Sequence, residues 1–203
     1  MKKNMNKVLV IVLAVALLAM TIVAGTLAYL MMATDPITNT FTLGNVNITL
    51  KETMGSEVST GVRNFGTILP GKQVAKDPVI TVEAGSETCW VFVKVVQTAA
   101  AQKYVDCTLD ASWVLVASKD EGRTAVYGRE TAVSAGTPLK VLKSEGDGDY
   151  ENGYVTFKTD FDKTEGEVNI IFTAYAIQQF NFADKNAAYD QLQGTTAFDL
   201  PER

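Results

Sequence analysis

The residue pattern predicts an all-β fold: a jelly-roll-like antiparallel sandwich with a short C-terminal helix, preceded by an N-terminal signal helix. Three observations predict it. Apolar runs with a two-residue period, or apolar on both faces, recur from position 46 to position 177. Turn chemistry separates them. Only one later stretch, 183–192, with Ala187, Ala188 and Leu192, suits a helix, and it is short enough to need tertiary support.

The chain opens with Lys2, Lys3 and Lys7, then an apolar run over 8–24 interrupted only by Thr21, then Gly25, Thr26 and Ala28. A basic start, an apolar middle and small residues at the exit make a secretory signal, with Ala28 and Tyr29 as the candidate cleavage pair. Extended to Met32, the run approaches the length of an uncleaved membrane anchor. Both readings keep the lysines inside and send the remainder across. The expected organisation is therefore a signal or anchor over 1–28, an N-terminal segment over 29–43, a β-sandwich over 44–196 and a flexible tail over 197–203.

The expected strands follow in order. Val46, Ile48 and Leu50 alternate with Asn45, Asn47 and Thr49, which is the pattern of a half-buried strand. The stretch 78–83, PVITVE, is a second strand. The stretches 89–96, CWVFVKVV, and 112–117, SWVLVA, are apolar on both faces and read as central strands. Residues 154–161 alternate again. The longest run, 168–177, VNIIFTAYAI, is also expected to be central. Pro70-Gly71 marks a turn, and Asn152-Gly153 suits a type I′ hairpin turn. Lys72 and Lys76 read as a solvated loop ahead of a strand.

Charge and composition exclude several functions. The full chain has 18 basic and 23 acidic residues. Removing Lys2, Lys3 and Lys7 lowers the basic count from 18 to 15, so the remainder carries a net charge of −8. Such a surface repels phosphate backbones, so no nucleic acid is expected as a partner. There is no histidine. That removes the usual general base, the usual zinc ligand and every Ser-His or Cys-His pair. The two cysteines, Cys89 and Cys107, are either a disulfide, as suits an exported chain, or two buried thiols.

Candidate sites are few. Asp147, Asp149 and Glu151 alternate in a polar loop, but an EF-hand begun at Asp147 would need Gly and Glu where Asn152 and Lys158 stand. Asp160, Asp162, Glu165 and Glu167 form a second acidic group, ordinary for an acidic surface. Trp90, Phe92, Tyr104, Trp113 and Phe172 would suit a carbohydrate-binding surface module, although aromatics at strand spacing are more often core. No catalytic residue, metal ligand or cofactor is expected.

Four segments, taken together, resemble the TasA/camelysin family of exported bacterial surface and biofilm-matrix proteins. They are GTLAY at 25–29 with TNTFTLGNVNITLKE at 38–52; LPGK at 69–72 with Lys76-Asp77-Pro78; VFVKV at 91–95; and AYAIQ at 174–178. The resemblance covers most of the chain to about Leu192, while 97–153 carries no recognisable signature. It implies a jelly roll, a signal cut by an endoplasmic-reticulum-type signal peptidase, and a secreted or cell-surface bacterial product. It further implies a structural role, as a biofilm-fibre subunit or an accessory matrix protein, with other matrix or cell-wall components as further partners. In such fibres the N-terminal strand of one subunit completes the sheet of the next. The candidate assembly residues here are Ile37, Asn39, Phe41 and Leu43, in an apolar and Thr-rich segment whose one charge is Asp35. Camelysins are also described as surface metallopeptidases. This chain lacks HExxH and any histidine, so a zinc site would have to use carboxylates and cysteines.

Overall fold

A computed structural model describes residues 45–203 except 147, 163, 165 and 196–198. They belong to one compact unit, 43–203. The signal helix, the cleavage pair Ala28–Tyr29 and the assembly residues Ile37, Asn39, Phe41 and Leu43 lie outside the described residues.

Twelve strands are described: β1 (Ile48–Lys51), β2 (Ser56–Ser59), β3 (Val62–Asn64), β4 (Gln73–Ala75), β5 (Val79–Val82), β6 (Cys89–Gln97), β7 (Val105–Asp106), β8 (Trp113–Lys119), β9 (Thr124–Arg129), β10 (Pro138–Lys140), β11 (Tyr154–Phe157) and β12 (Ile170–Gln178). Two α-helices interrupt or follow them, α1 (Ala99–Tyr104) and α2 (Lys185–Gln193). Every ladder is antiparallel. The fold is therefore the all-β sandwich with a short C-terminal helix that the pattern predicts.

One layer is a four-stranded sheet in the order β12-β6-β9-β8; two three-stranded sheets, β1-β5-β10 and β4-β11-β7, form the opposing layer. Alternation on β6 explains the packing. Val91, Val93 and Val95 point inward onto Ile80, Val82 and Leu139 of the β1-β5-β10 sheet. Trp90 and Phe92 point outward, onto Ala188, Tyr189 and Leu192 of α2. A third cluster joins Val105, Leu142, Val155 and Phe157 beneath the second three-stranded sheet.

Helix α2 starts where Asp184 accepts from the amides of Asn186 and Ala187, both at 2.9 Å. Helix α1 was not anticipated. Its signal was present in Thr98, which caps the amide of Ala101 at 3.3 Å, followed by three alanines.

Several expectations need correction. β12 is apolar on both faces but lies at the edge of its sheet, and so does β8. Asn152 keeps a negative φ, so Asn152-Gly153 is not a type I′ turn; only Gly153 is at positive φ, +128°. Pro70-Gly71 does turn the chain. Gly71 sits at φ +75° and the amide of Lys72 reaches the carbonyl of Leu69 at 3.3 Å, the geometry in which proline then glycine is favoured. The tail expected to be loose is held over 199–203. Tyr189 donates to the carbonyl of Pro201 at 2.7 Å, and Arg203 pairs with Asp190 at 2.9 Å.

Candidate functional site

Among the described residues β12 has no ladder partner on the side away from β6. On its other side β12 pairs with β6 along its whole length, Ile170 opposite Gln97 through Gln178 opposite Cys89. The amide of Thr98 bonds the carbonyl of Asn169 at 3.1 Å, and the amide of Gln179 bonds that of Thr88 at 2.9 Å. In an antiparallel ladder hydrogen-bonded residues alternate, so odd positions of β12 face β6. The N–H and C=O groups of Ile170, Phe172, Ala174, Ala176 and Gln178 therefore point away from the sheet. Among the described residues none of them has a backbone partner.

The side chains of the same residues are incompletely covered. Ile170, Phe172, Ala174 and Ala176 face the sandwich interior yet remain only half-buried, whereas the inward valines of β6 are buried. Neighbouring strands explain the difference: among the described residues β6 has a ladder partner on each side and β12 has one.

Beside the first three residues of β12, and the four that precede them, runs a groove of about 1260 Å³. One wall is 166–172. The other comprises the end of β1 with Glu52 and Thr53, the β2–β3 hairpin, and 65–68; Val74, Val155, Phe157 and Phe161 form the apolar floor. Its charged lining is balanced, with Lys51, Arg63 and Lys76 against Glu52, Glu57 and Glu167.

Lys76, expected in a solvated loop, is buried together with its neighbour Asp77, and both brace this groove. The Lys76 ammonium donates to both oxygens of Glu52 at 2.8 and 2.9 Å. It also lies 4.8 Å from the ring centre of Phe65 and 5.3 Å from that of Phe172, joining the two walls through cation–π contacts. The Asp77 carboxylate accepts from the amides of Thr53 and Met54 at 2.9 and 2.8 Å and from the Thr53 hydroxyl at 2.5 Å. These bonds fix the chain where it leaves β1 for the hairpin. Lys72 is exposed as expected.

The two cysteines are free thiols, so the bridge considered above is not formed. They serve different clusters: Cys89 packs in the central core with its sulfur toward the Val133 carbonyl, and Cys107 packs against the third cluster. Burial pushes the Cys89 thiol up to about 11 and the Cys107 thiol up to about 12, so neither is a ready nucleophile near neutral pH.

The remaining candidates do not converge. Trp90, Phe92, Tyr104 and Trp113 are buried core residues, and only Phe172 reaches the groove. Asp162 turns back on the amide and hydroxyl of Thr164, which hold its carboxyl below the usual range. Asp110, Ser112 and Arg129 form a chain in which Arg129 donates to the Ser112 hydroxyl and that hydroxyl donates to Asp110. The Ser112 hydrogen bond holds the Asp110 carboxyl below its usual range, so the acceptor beside that serine is a weak base, and the three side chains act as a structural brace. Among the described residues no three Cys, Asp or Glu side chains are placed to share a metal ion, and no helix is long and apolar enough to cross a membrane.

Hydrophobic periodicity located β12, but it could not reveal the open edge. Comparison with protein-family models, with curated proteins and with solved structures finds no match to this chain.

Proposed function

We propose that this chain is an exported structural subunit of the bacterial cell surface or extracellular matrix, and that copies assemble by strand donation. Residues 37–43 of one copy would lie along β12 of the next. The observation that carries this reading is the open edge of β12, with half-buried inward side chains above an apolar groove. An unpaired edge of this kind is a template for a strand from another chain.

The proposed donor suits the groove in length, period and charge. The groove follows seven residues, 166–172, the last three of them the start of β12, and the segment 37–43 also has seven. Ile37, Asn39, Phe41 and Leu43 occupy alternate positions, so an extended segment puts all four on one face. The segment ITNTFTL carries no charge, as a groove with balanced charges favours. Head-to-tail repetition of one such contact yields an open filament unless the rotation closes a ring. The resemblance to exported matrix proteins points the same way. Cleavage by an endoplasmic-reticulum-type signal peptidase near Ala28 would free the donor segment to reach a neighbour.

Phe41→Asp is expected to abolish assembly and leave the monomer folded. Losing the phenylalanine's burial costs roughly 2–3 kcal/mol, and an aspartate placed in the groove adds the desolvation of a charge. Sedimentation and electron microscopy should find monomer, and thermal unfolding should be unchanged. If the variant instead unfolds, Phe41 belongs to the core of its own domain and the reading fails.

A further inference from the structure

The β2–β3 hairpin has no evident work to do in the isolated subunit. Its two strands pair with each other, Ser56 opposite Asn64 and Glu57 opposite Arg63, and with no other strand among the described residues. Nearly every residue is exposed, including Val58 at 60 % and Val62 at 51 %. A lone two-stranded hairpin is marginal in water. This one is nevertheless anchored at its base. Asp77 holds Thr53 and Met54, Arg63 donates to the carbonyls of Thr53 and Gly55 at 3.3 and 3.4 Å, and Lys76 lies against Phe65. The anchoring sets the hairpin along the same groove, with Val62, Arg63 and Asn64 of β3 in one wall and the start of β12 in the other.

We infer that the donated strand is held on both edges, by β12 on one side and by β3 of the hairpin on the other. This rests on the strand-donation reading and adds the second partner. A strand seated there would join the four-stranded sheet to the hairpin in the order β8-β9-β6-β12-donor-β3-β2. Both sets of its backbone groups would then be satisfied, which an edge position alone cannot achieve. Val58 and Val62 would meet the apolar side chains of the occupant. The occupant is residues 37–43 of a second copy, as argued above from length, period and charge.

The test is amide hydrogen exchange on the full chain, with and without a synthetic peptide of residues 29–43. Peptide should slow exchange at Ile170 and Phe172 and also within Val62–Asn64, by about tenfold or more at each site. Slowing at β12 alone would overturn the two-edge grip and leave strand donation standing. Slowing at β3 alone would overturn the grip as well. No slowing at either would overturn both readings. A variant with 56–64 replaced by three glycines should release labelled peptide about tenfold faster, since each hydrogen bond lost is worth up to about a factor of ten. An unchanged release rate would count against the hairpin.

Discussion

Glu52→Ala is expected to destabilise the domain by about 3 kcal/mol or more, whereas the double variant Glu52→Leu, Lys76→Met should restore most of that loss. The two side chains are only 17 % and 10 % exposed, and their charged atoms meet at 2.8 Å. A surface pair would be worth at most about 1 kcal/mol. A buried pair behaves differently, because removing one partner strands the other charge away from water, at about 3–5 kcal/mol. The partial exposure of Glu52 puts the loss at the lower end. Lys76 would then keep only the faces of Phe65 and Phe172, which do not replace a carboxylate. Apolar residues at both positions remove the desolvation cost together with the attraction. Urea unfolding measures each variant through its midpoint at constant slope. A loss below 1 kcal/mol for the single variant would mean that the pair is effectively solvated.

Gly153→Ala should cost about 3 kcal/mol or more, and for a different reason. Gly153 has φ +128°, a conformation that side chains rarely adopt. A Cβ there would sit 2.6 Å from the carbonyl oxygen of Lys76 and 3.0 Å from the Cβ of Leu142. The first contact is with backbone, which cannot rotate aside. That backbone also matters locally, because the amide of Lys76 bonds the Gly153 carbonyl at 3.0 Å. Backbone strain of about 1–3 kcal/mol and overpacking of similar size add. Gly136→Ala is the control: φ is +80° but a Cβ meets nothing within 4 Å. Its loss, from conformation alone, should be near 1–2 kcal/mol. Equal losses at the two sites, read from urea midpoints, would mean that the contact at Gly153 relaxes.

The strands that bury a face were legible and the groove was not. Alternation at Val46, Ile48 and Leu50, and the unbroken run beginning at Cys89, mark β1 and β6 because each strand has a face or two covered. β12 is apolar for the same reason, with α2 and its neighbours over Tyr175 and Ile177 and the sandwich interior under Phe172 and Ala174. Residue pattern reports what covers a strand's faces and is silent about its edges. Hence β12 reads as central when it is not. Three-residue strands such as β3, β4 and β10 are too short to show a period. Lys76 and Asp77 look like loop charges because their partners, Glu52, Thr53 and Met54, stand more than twenty residues earlier. The spacing of Cys89 and Cys107 allowed a bridge, but the fold sends them to separate clusters.

Electron microscopy of the chain begun at Tyr29, compared with the chain begun at Gly44, tests strand donation most directly. Filaments are expected from the first as concentration rises over days. The second should stay monomeric while showing the same circular dichroism and unfolding midpoint. Monomer from both chains, or filaments from both, would contradict assembly through residues 29–43.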